Sequence, residues 1–142
     1  MEPSEVRRRV TDTITRSKRD QAARRARNAD TAPHYERFLE TVATPLLQQV
    51  AGVLKAEKYM FAVNTPAGAA RLFSERSPED FLEIRLDTRA AVPQVLAHIE
   101  RVKGRETSIE DLPIRPGVLV EHLTEEDVLD VVAEALAVFV EK

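Results

Sequence analysis

The amino-acid sequence predicts an α+β domain preceded by a charged helical arm. Three observations carry this. A 3.6-residue apolar period runs from about Pro33 to Glu57, a period of two replaces it between Tyr59 and Asp87, and a marked helix start stands at Thr124. The expected architecture is a long kinked helix and a C-terminal helix packed on one face of a mostly antiparallel sheet of four to five strands. Residues 1–30 are expected to form a basic helical arm, and residues 31–142 a single α+β domain.

The arm comes first. Residues 5–28 contain mostly Arg, Ala, Gln and Glu with no Gly or Pro, a helix-forming composition, and Ser4 suits an N-cap. Val6, Val10 and Ile14 recur every four residues, and after them the apolar stripe reduces to alanine. A helix with so thin a stripe gains little from packing and is expected to fray unless something binds it. The stretch NADTAP, 28–33, reads as a break, with Thr31 as a cap and Pro33 in the first turn of the next helix. That helix places Tyr35, Phe38, Leu39, Val42, Leu46, Gln49, Val50, Val53 and Leu54 on one face, which is expected to pack on the core. Pro45 lies inside it, removes the hydrogen bond to the Thr41 carbonyl and predicts a kink.

Strands follow. YMFAVNT, 59–65, alternates Tyr59, Phe61 and Val63, the turn residues NTPAG come next, and ARLFSE, 70–75, returns. FLEIRLD, 81–87, points Leu82, Ile84 and Leu86 inward and Glu83, Arg85 and Asp87 outward. Residues 92–104 fit either a helix or a strand, and the strand reading is preferred because it pairs with 81–87 and turns at Lys103-Gly104 into a hairpin. LPIRPG, 112–117, reads as an extended connector. Thr124 with Asp127 forms an acidic variant of the capping box, Leu123 and Val128 suit a hydrophobic staple, and Val128, Leu129, Val132, Leu136 and Phe139 form the stripe expected to be buried.

Charge is unevenly distributed. Residues 1–30 hold nine Lys/Arg against five Asp/Glu, whereas residues 31–142 hold twelve against nineteen. A basic tail on an acidic body suggests contact with a polyanion or with a second copy of the chain. There are no cysteines, which excludes disulfides and thiolate sites and points to a reducing compartment; the expected location is cytoplasmic. No apolar run approaches the ~20 residues of a membrane span, and no secretory signal is expected.

The segment RDQAARRAR, 19–27, resembles the basic region of bZIP transcription factors through Ala22, Ala23, Arg24, Arg25 and Arg27. That resemblance implies a helix lying in the DNA major groove. The sequence departs from the family where its base-reading Asn is replaced by Arg19, where its first zipper leucine is replaced by Glu36, and where Pro33 interrupts. On a helical wheel Arg7, Lys18 and Arg25 lie on one side, with Arg9, Arg16 and Arg27 nearly opposite. No aromatic residue in the arm offers stacking to bases.

Other chemistries find little support. Asp80 and Glu83 superficially match the carboxylates of metal-dependent nucleases, but they sit three residues apart and Arg85 stands where Lys is needed. The histidines, His34, His98 and His122, lack partners at zinc-ligand spacing, and His122 is expected to neutralise Glu121, Glu125 and Glu126. The four glycines form no phosphate loop, and there is no nucleophile elbow. No catalytic, cofactor or metal residue is therefore assigned. The expectation is a small non-enzymatic interaction or accessory protein, with Arg16, Lys18, Arg19, Arg24, Arg25 and Arg27 as partner-binding residues and a protein partner or homodimer as the contact. Non-specific nucleic-acid binding through the same arm is the alternative. The order of elements also resembles that of type III secretion chaperones, which implies a client-binding module.

Overall fold

The computed structural model describes residues 1–140. Its first feature is a helix unbroken from Pro3 to Ala56, made of α1 (Pro3–Phe38), a π turn (Leu39–Ala43) and α2 (Thr44–Ala56). The break expected at 28–33 is absent, and Pro33 lies inside α1. Proline within a helix costs about 3 kcal/mol, because it removes one hydrogen bond and crowds the preceding turn. Here Ala29, four residues back, is exposed, so its carbonyl turns to water. Two large residues in the next turn then offset the cost: Tyr35 and Phe38 are buried, with their rings stacked 6.4 Å apart.

Pro45 produces a π turn where a kink is expected. The Thr44 amide reaches back five residues to the Leu39 carbonyl, which inserts one extra residue into the helix. At ~100° per residue, an uninterrupted α-helix would hold Leu47 and Leu54 about 100–120° away from Tyr35 and set Val53 on its line instead. The inserted residue restores the phase, and Tyr35, Phe38, Leu46, Leu47, Val50 and Leu54 enter one core. α2 then ends on Lys58, which adopts a left-handed φ of 74°, while the Tyr59 amide bonds back to the Leu54 carbonyl at 2.8 Å.

Five strands follow: β1 (Phe61–Asn64), β2 (Ala69–Ser74), β3 (Phe81–Asp87), β4 (Gln94–Lys103) and β5 (Glu106–Pro113). They pair antiparallel in chain order. The ambiguous segment is thus a strand, with Val95, Ala97 and Ile99 in the core. Gly104, at φ 65°, opens the two-residue turn into β5, a conformation glycine adopts without steric cost. β5 extends to Pro113, so the expected connector supplies the end of a strand before it turns away. β5 is an edge strand and carries Glu106, Glu110 and Asp111, all exposed.

α3 (Glu125–Val140) begins as expected. The Thr124 amide donates to Asp127 Oδ2 at 3.0 Å and the Asp127 amide donates to Thr124 Oγ1 at 3.3 Å, a reciprocal capping box. Leu123 and Val128 are both buried beside it, and Phe139 meets Phe61 edge-on at 5.8 Å. The helices cover one face of the sheet, with the core between the two layers. Three residues expected in that core are outside it: Gln49 is exposed, Val53 is 65% exposed and Leu129 43% exposed. Each lies on the flank of its helix's apolar face, where α2 and α3 leave a gap between them.

Two expectations follow. Inserting one alanine after Thr41 advances α2 by a further ~100° and turns Leu47 and Leu54 out of the core; urea unfolding followed at 222 nm should show a loss of at least the ~2–5 kcal/mol of one large core truncation, whereas deleting Thr41 closes the π turn to an α turn and leaves both side chains in phase. The Thr124 amide and hydroxyl, with Arg115, hold the Asp127 carboxyl below its ordinary pKa of 3.8. A carboxyl depressed in the folded state adds stability above its unfolded pKa and loses it as pH falls through the folded value. The stability gap between the native chain and Asp127→Asn should therefore be full at neutral pH and narrow as pH drops below 3.8.

Candidate functional site

Helix α1 leaves the body at Asn28, whose side-chain amide donates to the Thr88 carbonyl at 3.5 Å. Two turns later the buried Tyr35 hydroxyl donates to the Gly68 carbonyl at 2.6 Å. Burial, reinforced by the nearby Glu83 carboxylate, pushes this phenol well above its usual pKa, so it remains a donor. His34 meets Glu121 at 3.1 Å, which corrects the expectation that Glu121 pairs with its neighbour His122.

Before Asn28 the helix stands in solvent. Arg16, Lys18, Arg19, Arg24, Arg25 and Arg27 are all exposed, and none pairs with a carboxylate among the described residues. The arm's ion pairs lie nearer its start, where Arg8 and Arg9 approach Glu5 at 3.6 and 3.2 Å. Val6, Val10 and Ile14 are 44, 52 and 49% exposed. Their stripe lies between the two flanks of basic residues on the helical wheel. The arrangement is an amphipathic helix with nothing against its apolar side.

A second uncovered apolar surface lies on the body. The gap between α2 and α3 is a groove of about 310 Å³ lined by Leu46, Gln49, Val50, Val53, Leu54, Leu129 and Leu136. α3 carries Glu125, Glu126, Asp127, Asp130 and Glu134 and no basic residue within Glu125–Val140. Sequence reasoning missed this groove. Its signal was Leu129 and Leu136, seven residues apart and both to one side of the Val128–Val132 line.

The open face of the sheet carries charge of a different kind. Cross-strand register aligns Asn64, Arg71, Glu83, His98 and Asp111 in one row. Glu83 is buried there and receives four donors: Arg71 Nε and Nη2 at 3.0 and 2.9 Å, and Arg85 Nε and Nη2 at 2.9 and 2.6 Å. The Arg71 guanidinium also lies 3.9 Å over the Phe81 ring. His98 meets Asp111 through Nδ1 at 2.6 Å and Glu100 through Nε2 at 2.7 Å. Asp80, the other carboxylate of the nuclease-like pattern, accepts the Val102 amide at 2.7 Å. These groups satisfy one another, and among the described residues no set of side chains is arranged to hold a metal ion. A third feature, a cleft of about 580 Å³ beside the π turn, is bordered by Glu36, Leu39, Glu40 and the β1–β2 turn.

Comparison with protein families, with curated proteins and with solved structures finds no match to this chain. Among the described residues no helix is long and apolar enough to cross a membrane.

The Glu83 cluster is expected to hold the sheet together. Glu83→Ala would leave two guanidinium groups facing each other; a destabilisation of about 2–3 kcal/mol in urea titration is expected, with the native fold retained.

Proposed function

We propose that this chain is a non-enzymatic interaction protein whose Arg-rich helix docks a second protein surface, with another copy of the chain as the favoured partner. One observation carries the reading: residues 3–27 are helical and, apart from half-buried Glu5, exposed, with an uncovered apolar stripe at Val6, Val10 and Ile14 between two flanks of basic residues. Surface helices of this length draw most of their stability from packing. A partner supplies what the arm lacks by covering the stripe and answering the cations with carboxylates. The body of the same chain has the required sign, with nineteen Asp/Glu against twelve Lys/Arg. The lack of cysteine suits such a protein to a reducing compartment.

The nucleic-acid reading uses the same cations and differs in what it leaves unexplained. Phosphate contacts need no apolar stripe, and the arm has no aromatic residue before Tyr35. Docking against protein uses both the stripe and the charge.

Sedimentation velocity on the full chain tests this. A dimer at low salt, weakened roughly 10-fold or more at high salt, is expected. Reversing Arg16, Lys18, Arg19, Arg24, Arg25 and Arg27 to Glu should leave a monomer. A native chain that stays monomeric at low salt and high concentration, or one that retards duplex DNA in a salt-dependent manner lost in the reversed variant, overturns the reading.

A further inference from the structure

We infer that the groove between α2 and α3 receives the arm of a second copy, in an antiparallel two-fold dimer where each arm lies along its partner's α2. The inference rests on the proposed role of the arm and adds the place where the arm lands.

Register supplies the first argument. Pro3 to Ala56 is one helix, so two copies laid antiparallel at full overlap set each residue opposite the one equally far from the other end. Val6 then faces Val53, Val10 faces Gln49 beside Val50, and Ile14 faces Pro45 beside Leu46. These are the positions that form the α2 wall of the groove. The stripe and the groove wall therefore match in length and in distance from their respective ends. The same overlap sets Arg19 at the level of Glu40.

Charge supplies the second. The arm's basic flanks would run beside α3, whose five carboxylates include Glu125, Glu126 and Asp130 around Leu129. Packing two arms stripe against stripe would instead bring nine cations from each copy together, with three carboxylates between Pro3 and Arg27 to offset them. Opposite signs steer the arm to the groove, and like signs keep the arms apart.

Area supplies the third. Twenty-five helical residues span about 37 Å, and a strip of that length and about 10 Å width, counted on both partners and doubled by symmetry, covers about 1,500 Å². Stable interfaces bury about 1,200–2,000 Å². The contact is isologous, so it closes at two copies.

A charge-swap experiment on full-length chains tests the inference. Val10→Glu alters the arm and Val53→Arg alters the groove; both positions are exposed, and circular dichroism at 222 nm verifies that each variant keeps its fold. Each variant alone should dimerise about 10- to 100-fold more weakly than the native chain by sedimentation. Mixed one to one, they should recover dimer: one arm and groove are then native, and in the other pair the introduced charges are opposite. If Val10→Glu weakens the dimer while Val53→Arg leaves it native, and mixing recovers nothing, the groove is wrong and the arm reading stands. If Val10→Glu dimerises like the native chain, or the native chain is monomeric, the arm reading falls and takes the groove with it.

Discussion

Pro45 cannot donate a backbone hydrogen bond, and the helix before it has already committed Tyr35 and Phe38 to the core. The chain meets both demands with one additional residue. The π turn carries the helix past the proline and rotates everything beyond it until Leu46, Leu47, Val50 and Leu54 share the face of Tyr35 and Phe38. The sheet needs a single apolar face above it, and this rotation provides one. β1, β2 and β3 depend on the phase through Phe61, Leu72 and Leu82, which lie beneath that face. The Tyr35 hydroxyl depends on it as well, since its acceptor is the carbonyl of Gly68 in the β1–β2 turn. Backbone geometry at one turn thus determines whether the two layers meet.

Charge follows opposite rules in two parts of the molecule. On the open face of the sheet each ionic group has a fixed partner, and the Glu83 carboxylate is saturated by two guanidinium groups. Those contacts hold adjacent strands in register and leave nothing over for a ligand. On the arm, six cations have no carboxylate within reach among the described residues. Satisfied charge holds the scaffold together, and the charge on the arm faces solvent. The same contrast separates the buried apolar residues from Val6, Val10, Ile14, Val53 and Leu129.

The strands and the last helix were legible because local chemistry and burial agree there. Period-two alternation in 81–87 survives as Leu82 and Ile84 in the core, and Thr124 with Asp127 forms the expected reciprocal cap. The break at NADTAP was misread because Thr31 and Pro33 are local signals, whereas the helix continues through packing further along at Tyr35 and Phe38. Val53 was placed in the core because an unbroken 3.6 period sets it five turns beyond Tyr35, and the π turn rotates it about 100° off that line; Leu129 was placed there because periodicity reports which side of a helix is apolar and not how near the neighbouring helix stands. The groove exists only once α2 and α3 take up their spacing on the sheet, a tertiary distance that no window of sequence contains. The partner of His98 stayed hidden for the same reason, since Asp111 reaches it across a strand pairing thirteen residues apart.

The β5 edge has a bearing on what the chain avoids. A free edge strand offers a row of unpaired amides and carbonyls to any extended segment, and sheets joined through such edges grow without limit. Here the edge carries Glu106, Glu110 and Asp111, so a second β5 arriving antiparallel would bring three more negative charges against them. A β5-to-β5 junction between copies meets this repulsion. The charges thus act against self-pairing of this edge, the contact that would join two sheets into one.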